Sequence, residues 1–594
     1  MVPTRFLGRP RSPILRCLEA VMISLSLLVA LSVASGILLC AGSNGLCTGN
    51  LPSGFKKEEA RRGAVSSLDA RCSAIGAGIL RRGGNAADAM VATQFCCGVI
   101  GMYLTGIGGG GFMLVRDSKG RFEFVDYRET APAASTEDMF NNNVNASLVG
   151  GLAAGVPGEI RGLEYLHTKY GSLPWADLVD PSVRIAREGF VVGKDMESSM
   201  DRINDDKLFL EDPAWAPEFA PQGRLLRAGD TITRPRLAKT LESIRDGGAD
   251  AFYTGVIAET MVAALQRKGG IMTLQDLRDY QVIRRRPISI QYDGYRLTGC
   301  GVPGGGVVSL AILNVLQGYA DRGEASALNL TSHRLSEIMR FAFGARTKLG
   351  DPSFVEGLEP YQQAMLSGAF ASEVRSKISD DHTQPIDAYN PDGLEILETP
   401  GTSHISTADA SGLAISSTST INLTFGSRLM VPETGIIMNN EMNDFSVPNA
   451  DNAFGFIPSP ANFIRPGKRP LSSMSPLIIE FEGNRTLHSV MGGAGGSRII
   501  TAVVQGVWNL LDRQMGLVGA VAAARLHDQL VPNQILVQQG FDNATVAFLE
   551  SKGHMVVFVS SGHGSDLQMV QRLTNATFAA ASEPRQHESG GLAV

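Results

Sequence analysis

Two glycine clusters stand out among the residues whose types and spacing could do chemistry. Gly106-Ile107-Gly108-Gly109-Gly110-Gly111 literally satisfies G-x-G-x-x-G. A dinucleotide site needs that pattern to open a helix whose N-terminus meets a pyrophosphate. Here the run that follows, FMLVRDSKGRFEFVDY, alternates as two strands around a Ser-Lys-Gly turn. The cluster therefore reads as a turn where backbone must approach something closely. Gly492-Gly493-Ala494-Gly495-Gly496 leads from a strand into a helix expected over 498–511, as a tight strand-to-helix turn would. No H-E-x-x-H, P-loop or G-x-S-x-G occurs, and the nine histidines are scattered. Metal-dependent and Ser–His–Asp hydrolysis both lack their usual anchors, and neither a metal nor an organic cofactor is expected.

The elements that must position these turns are legible from periodicity. Residues 68–100 read as two helices broken at Gly83-Gly84-Asn85, with Cys72 and Cys96 on the two arms, able to pair in an oxidising compartment. Cys47, Cys97 and Cys300 are left unassigned. Further helices are expected over 158–170, 175–188, 307–319 and 333–349. An exposed loop is expected over 381–400, where three prolines and several acids interrupt the pattern. Strand hairpins follow over 402–422, turning at 409–412, and over 476–490, turning at Glu482-Gly483-Asn484. The whole reads as one mixed α/β body.

Composition sets the class. The chain has 594 residues, 44% of them apolar and 19% charged, with a net charge of −6. That balance suits a packed globular protein and opposes nucleic-acid binding, which needs a basic surface. Sixty-seven glycines are more than the ~7% of an average chain. Residues 20–41 carry no charge and are long enough for one membrane crossing. With Arg5, Arg9, Arg11 and Arg16 ahead of them, they read as an uncleaved signal anchor after a basic cytoplasmic tail, 1–19, and before a linker, 42–62, at the cell surface or a vacuole, the alternative being a removed signal peptide and a secreted soluble form. Asn145, Asn329, Asn422, Asn484, Asn543 and Asn575 each open an N-x-S/T sequon beyond that segment, which fits a lumenal or extracellular body of a type II membrane protein in the secretory pathway.

From Gly401 onward the sequence becomes specific. Gly401-Thr402-Ser403-His404, Ser417-Thr418-Ser419-Thr420-Ile421-Asn422, Asn439-Asn440-Glu441-Met442-Asn443-Asp444-Phe445, Pro458-Ser459-Pro460-Ala461-Asn462-Phe463 and Pro470-Leu471-Ser472-Ser473-Met474 resemble the γ-glutamyltransferase family of N-terminal-nucleophile hydrolases. Upstream, Gly83-Gly84-Asn85-Ala86-Ala87-Asp88-Ala89, Leu104-Thr105-Gly106-Ile107-Gly108-Gly109-Gly110, Arg128-Glu129-Thr130-Ala131-Pro132 and Arg346-Thr347-Lys348-Leu349-Gly350-Asp351-Pro352 carry the same likeness. The resemblance spans the body from about residue 63.

It implies a four-layer αββα sandwich and a precursor that cuts itself between Gly401 and Thr402. The products would be a large piece, 63–401 beyond the anchor and linker, and a small catalytic piece, 402–594, that stay together as a heterodimer. Cleavage would give Thr402 a free α-amino group, with a pKa of ~7.7–8.0 that lets it take the hydroxyl proton. Thr420 matches the residue that hydrogen-bonds the nucleophile, and Gly495 and Gly496 match the oxyanion donors. Arg128, Ser472 and Ser473 match groups that hold a substrate α-carboxylate. Asn422, Glu441 and Asp444 match those that hold its α-ammonium, so the Asn422 sequon is expected to be unmodified. His404 is expected to pack. The implied activity is glutathione hydrolysis and γ-glutamyl transfer to water, amino acids or short peptides. Rival readings are a glutaryl-amide acylase or poly-γ-glutamate hydrolase, and, from another class, an inactive membrane-tethered binding protein.

Overall fold

A computed structural model describes residues 61–203, 205–395, 401–448, 457–559 and 564–594. The expected tail, the anchor over 20–41, nearly all of the linker, and Cys47 lie outside the described residues. Among the described residues no helix is long and apolar enough to cross a membrane.

The break at Gly83-Gly84-Asn85 separates α1 (Ala70–Arg81) from α2 (Ala86–Ile100). The Asp69 carboxylate caps α1 by accepting the Arg71 N–H, and Asn85 and Asp88 form a reciprocal capping box on α2. Each satisfies amide donors that a helix start otherwise leaves unpaired. The small residues of α2 let neighbours pack on all sides, and nearly every side chain on it is buried. Cys72 and Cys96 are joined across the two helices, with Cα atoms 5.3 Å apart. Cys97 and Cys300 are free thiols, both buried.

Two sheets stack between helical layers. The first contains β1 (Gly63–Ser67), β2 (Gly110–Arg116), β3 (Phe122–Tyr127), β4 (Ile283–Arg285), β7 (Ser403–Asp409), β8 (Ala414–Thr420) and β13 (Gly590–Ala593), in the order β13-β1-β7-β8-β2-β3-β4. The second contains β5 (Ile288–Tyr292), β6 (Tyr295–Gly299), β9 (Leu477–Phe481), β10 (Leu487–Ala494), β11 (Asp566–Arg572) and β12 (Phe578–Ser582), in the order β12-β11-β10-β9-β6-β5. Period-2 alternation divides the first sheet's side chains. Met113, Val115, Val125 and Tyr127 join a cluster with α1, α2, α3 (Glu159–Tyr170) and α4 (Trp175–Glu188). Phe112, Leu114 and Phe124 face the other way, into a cluster with the second sheet, α5 (Gly306–Leu316), α6 (Leu328–Arg346) and α7 (Arg498–Val507). With both faces of the sheet covered, β7 and β8 are buried along their whole length although they are rich in serine and threonine.

Strands β7 and β8 come from beyond Thr402, yet lie between β1 and β2 from before it. Likewise β9 pairs with β6. Neither side of the Gly401–Thr402 bond can close a sheet without the other.

Three boundaries differ from expectation. Helix α6 starts five residues before His333, because its N-cap, Ala327, offers no side-chain capping signal. The helix expected over 498–511 is α-helical only to Val507 and continues as a π-turn over Trp508–Asp512, where the Trp508 indole donates to the Arg322 carbonyl at 2.7 Å. The segment from Asp381 is not simply an exposed loop. Ile386–Tyr389 form a helical turn that buries Tyr389, whose hydroxyl donates to Glu337 of α6 at 2.6 Å. Residues 396–400 lie outside the described residues.

Candidate active site

The β7–β8 register pairs Ser403 with Ser419, which sets Thr402 opposite Thr420 at the open end of the hairpin. On the other side of β8, Thr420 pairs with Gly110. The preceding glycine turn is there for close approach. A Cβ on Gly109 would lie 1.9 Å from the Thr420 carbonyl oxygen, and one on Gly108 would lie 2.2 Å from that of Ile437. The turn packs backbone against the strand end that carries Thr420, and a strand follows it, as the sequence indicates. Asn439 then ties this turn to the next element. Its amide nitrogen donates to the Gly108 and Gly155 carbonyls, each at 2.8 Å, while its oxygen accepts from Glu441 N–H at 3.0 Å. That bond opens the 3-10 turn Glu441–Asp444.

These elements line a pocket. Arg128, Thr402, Thr420, Asn422, Glu441, Asp444, Ser472, Ser473 and Gly496 all border it, with Met474 and Ile499 as apolar walls. Gly495 stands one residue from this lining. The amides of Gly495 and Gly496 converge on a single acceptor, the Gly401 carbonyl oxygen, at 3.2 and 3.1 Å. Gly401 and Thr402 have φ values of +117° and +107°. For a β-branched residue such as Thr402 the second is an outlier, costing about 1–3 kcal/mol.

The Thr420 hydroxyl accepts the Asn422 N–H at 2.7 Å, and the Asn422 side chain donates to the Asn440 carbonyl at 3.0 Å. Among the described residues no hydrogen bond joins the Thr402 and Thr420 hydroxyls. Asn422 is only 3% exposed, so its sequon has no room for a glycan. By contrast Asn145, Asn484, Asn543 and Asn575 are exposed, and Asn329 is half-buried. His404 is buried between the sheets, hydrogen-bonded to Thr418 at 2.8 Å and Ser406 at 3.1 Å. Burial pushes its pKa down to about 3, so it is a neutral packing residue at neutral pH.

Charge is concentrated on one wall. Arg128 is buried with its guanidinium paired to both Glu441 and Asp444 and 4.0 Å from Glu129. Its backbone is pinned by the Tyr280 hydroxyl, which donates to the Arg128 carbonyl at 2.8 Å, and by Asp126, which accepts the Arg128 N–H at 3.0 Å. Burial works against the guanidinium charge, but Glu441, Asp444 and Glu129 outweigh it and raise the pKa. Burial also raises the Glu441 carboxyl, and takes Glu129 up to about 8. Three carboxyl groups facing one guanidinium leave the site with acceptor capacity for a further cation.

Two participants were not singled out from sequence. Glu129 lies inside a quoted motif, but its burial beside Arg128 is a tertiary fact. Arg346, the first residue of another quoted motif, is buried and donates to the Ser473 hydroxyl at 3.2 Å. Burial pushes its pKa down to about 10.

Comparison with known proteins places the chain. The family profile described as Gamma-glutamyltranspeptidase matches residues 72–593. A "Glutathione hydrolase proenzyme" of Arthroderma benhamiae is 51% identical over 548 residues, covering 90% of this chain and 93% of the relative. A "Glutathione hydrolase" of Aspergillus flavus is 48% identical, covering 91% of each. Among solved structures, a cephalosporin acylase from Bacillus halodurans superposes with a TM-score of 0.78 at 27% identity, covering 93% of this chain and 99% of that one.

Proposed function

Because the chain belongs to the gamma-glutamyltranspeptidase family and is a glutathione hydrolase and γ-glutamyl-transferring enzyme, we propose that Thr402 is its nucleophile and that the chain makes this nucleophile by cutting itself. The observation that carries the proposal is the convergence of the Gly495 and Gly496 amides on the Gly401 carbonyl. The Thr402 hydroxyl attacks that carbonyl, and the oxyanion that forms is held by the two N–H groups already in place. The C–N bond breaks, the hydroxyl proton passes to the departing nitrogen, and an ester links Gly401 to the Thr402 oxygen. Water hydrolyses the ester, leaving a Gly401 carboxylate and a free Thr402 amine. Cutting the peptide also releases the strain at Thr402.

The same groups then serve a second acyl transfer. The Thr402 amine accepts the proton of its own hydroxyl. The oxygen attacks the γ-carbonyl of glutathione, whose oxygen occupies the place left by the Gly401 carbonyl. Cysteinylglycine leaves with the proton, and water or an amino-acid acceptor resolves the γ-glutamyl ester. Arg128, Ser472 and Ser473 hold the α-carboxylate of the γ-glutamyl head, with Arg346 orienting Ser473. Glu441, Asp444 and Asn422 hold its α-ammonium. The excess of carboxyl groups on that wall favours a γ-glutamyl head over a glutaryl group, which lacks the ammonium. No residue of this scheme calls for a cofactor.

The scheme is a ping-pong one. Initial rates of γ-glutamyl-p-nitroanilide turnover against a dipeptide acceptor should give parallel double-reciprocal lines. Intersecting lines would contradict a covalent γ-glutamyl intermediate. Thr420→Val leaves the Asn422 N–H without its acceptor in a buried place, a loss of about 1–3 kcal/mol. We expect turnover to fall about 10–100-fold in the same assay, with little change in KM.

The proposed setting is a type II membrane protein of the secretory pathway, its two pieces held together as a heterodimer on the lumenal or extracellular side. The apolar run at 20–41, four exposed sequons and the Cys72–Cys96 pair support this placement.

A further inference from the structure

Helix α6 and the C-terminal end of helix α8 (Asn543–Ser551) bring together three side chains that the γ-glutamyl chemistry does not use. His333 and Glu337 are four residues apart on α6 and so share one helix face. His554 follows α8. All three are buried, and one ligand atom from each can be chosen so that all lie within 4.8 Å of one another. We propose that His333, Glu337 and His554 form a site for one divalent transition-metal ion, zinc by its donor set, and that this ion ties the large piece of the chain to the small one.

The surroundings are those of a ligand set already oriented. His333 Nε2 lies 2.8 Å from the Ser379 carbonyl, which can only accept, so the proton sits on Nε2 and Nδ1 presents its lone pair. Metal-binding histidines are commonly held in this way by a backbone carbonyl. Glu337 is fixed at both oxygens, by the Thr383 hydroxyl at 2.8 Å and the Tyr389 hydroxyl at 2.6 Å. His333 Nδ1 faces His554 Nε2 at 2.8 Å, and His554 Nε2 lies 3.8 Å from Glu337 Oε1. Two nitrogens bound to one tetrahedral zinc at 2.0–2.1 Å stand about 3.3 Å apart, so the rings need part by only about half an ångström. His554 Nδ1 is buried without a hydrogen-bond partner. On metal binding the proton between the rings moves to this nitrogen, leaving both Nδ1 of His333 and Nε2 of His554 free to ligate. Two imidazoles and a carboxylate suit zinc, with water completing four-coordination.

His333 and Glu337 precede Gly401, and His554 follows it. The tie between pieces therefore rests on the self-cleavage reading, whereas the binding site does not. The test uses full-length wild type and Thr402→Ala, each stripped with a chelator and titrated with cobalt(II). Both should acquire the intense visible bands of tetrahedral cobalt at one ion per chain, and zinc should abolish them. Glu337→Gln and His554→Ala should lose the bands, and Tyr389→Phe should weaken binding about 10-fold. Zinc at 100-fold over its Kd should raise the wild-type melting temperature by about 2 °C, a readout that does not depend on the variants folding. No tetrahedral spectrum in the wild type, or a spectrum unchanged in folded Glu337→Gln and His554→Ala, overturns the site. Metal binding without any effect of zinc on the urea concentration that separates the two pieces overturns the tie.

Discussion

Thr402→Ala should accumulate as one uncut chain and should lose γ-glutamyl turnover by at least about 10⁴-fold, the scale on which removing a covalent nucleophile acts. Both losses come from one oxygen. Alanine leaves the Gly401 carbonyl in the grip of the Gly495 and Gly496 amides but supplies nothing to attack it. Thr402→Ser keeps the hydroxyl and removes the β-branch that makes the +107° φ costly. It should therefore still mature, more slowly, because less strain is released when the bond breaks. A gel of the freshly purified proteins separates the three cases. Normal fragments from Thr402→Ala would mean that another bond or another protease is responsible.

Arg128→Lys should mature normally yet lose kcat/KM for γ-glutamyl donors by about 100-fold or more. Truncating one member of a buried, hydrogen-bonded charge pair costs about 2–5 kcal/mol, and lysine keeps the charge without the planar fork that grips a carboxylate at two points. Lysine is also the informative substitution. Arg128→Ala would leave Glu441, Asp444 and Glu129 confronting one another in a buried site, and the expected 3–5 kcal/mol loss of stability would obscure the effect on binding. Steady-state kinetics beside a denaturing gel check the prediction. An unprocessed Arg128→Lys chain would make Arg128 a folding residue and not a substrate clamp.

These two residues mark where the sequence is informative and where it is not. Local periodicity and turn chemistry are carried by neighbours in the chain, so both helix arms around Gly83-Gly84-Asn85 and the hairpins at 402–422 and 476–490 could be read directly. The meeting of Thr402 with Gly495 and Gly496 rests on motifs more than ninety residues apart, and only the family resemblance made it legible. Other features depend on packing alone. Nothing local to Arg128 says that its guanidinium lies between Glu441 and Asp444, or that Arg346 reaches Ser473. The polar run after Asp381 looked solvent-exposed because the burial of Tyr389 depends on Glu337, which comes from elsewhere in the fold. For the same reason the His333–Glu337–His554 cluster has no sequence signature. Its third member lies 217 residues beyond the second, across the proposed cut.

N-terminal sequencing of the smaller fragment of the purified protein locates the cut. Self-cleavage before Thr402 gives a fragment that starts Thr402-Ser403-His404-Ile405. A fragment beginning at any other residue, or an uncut chain that still turns over γ-glutamyl donors, would contradict it.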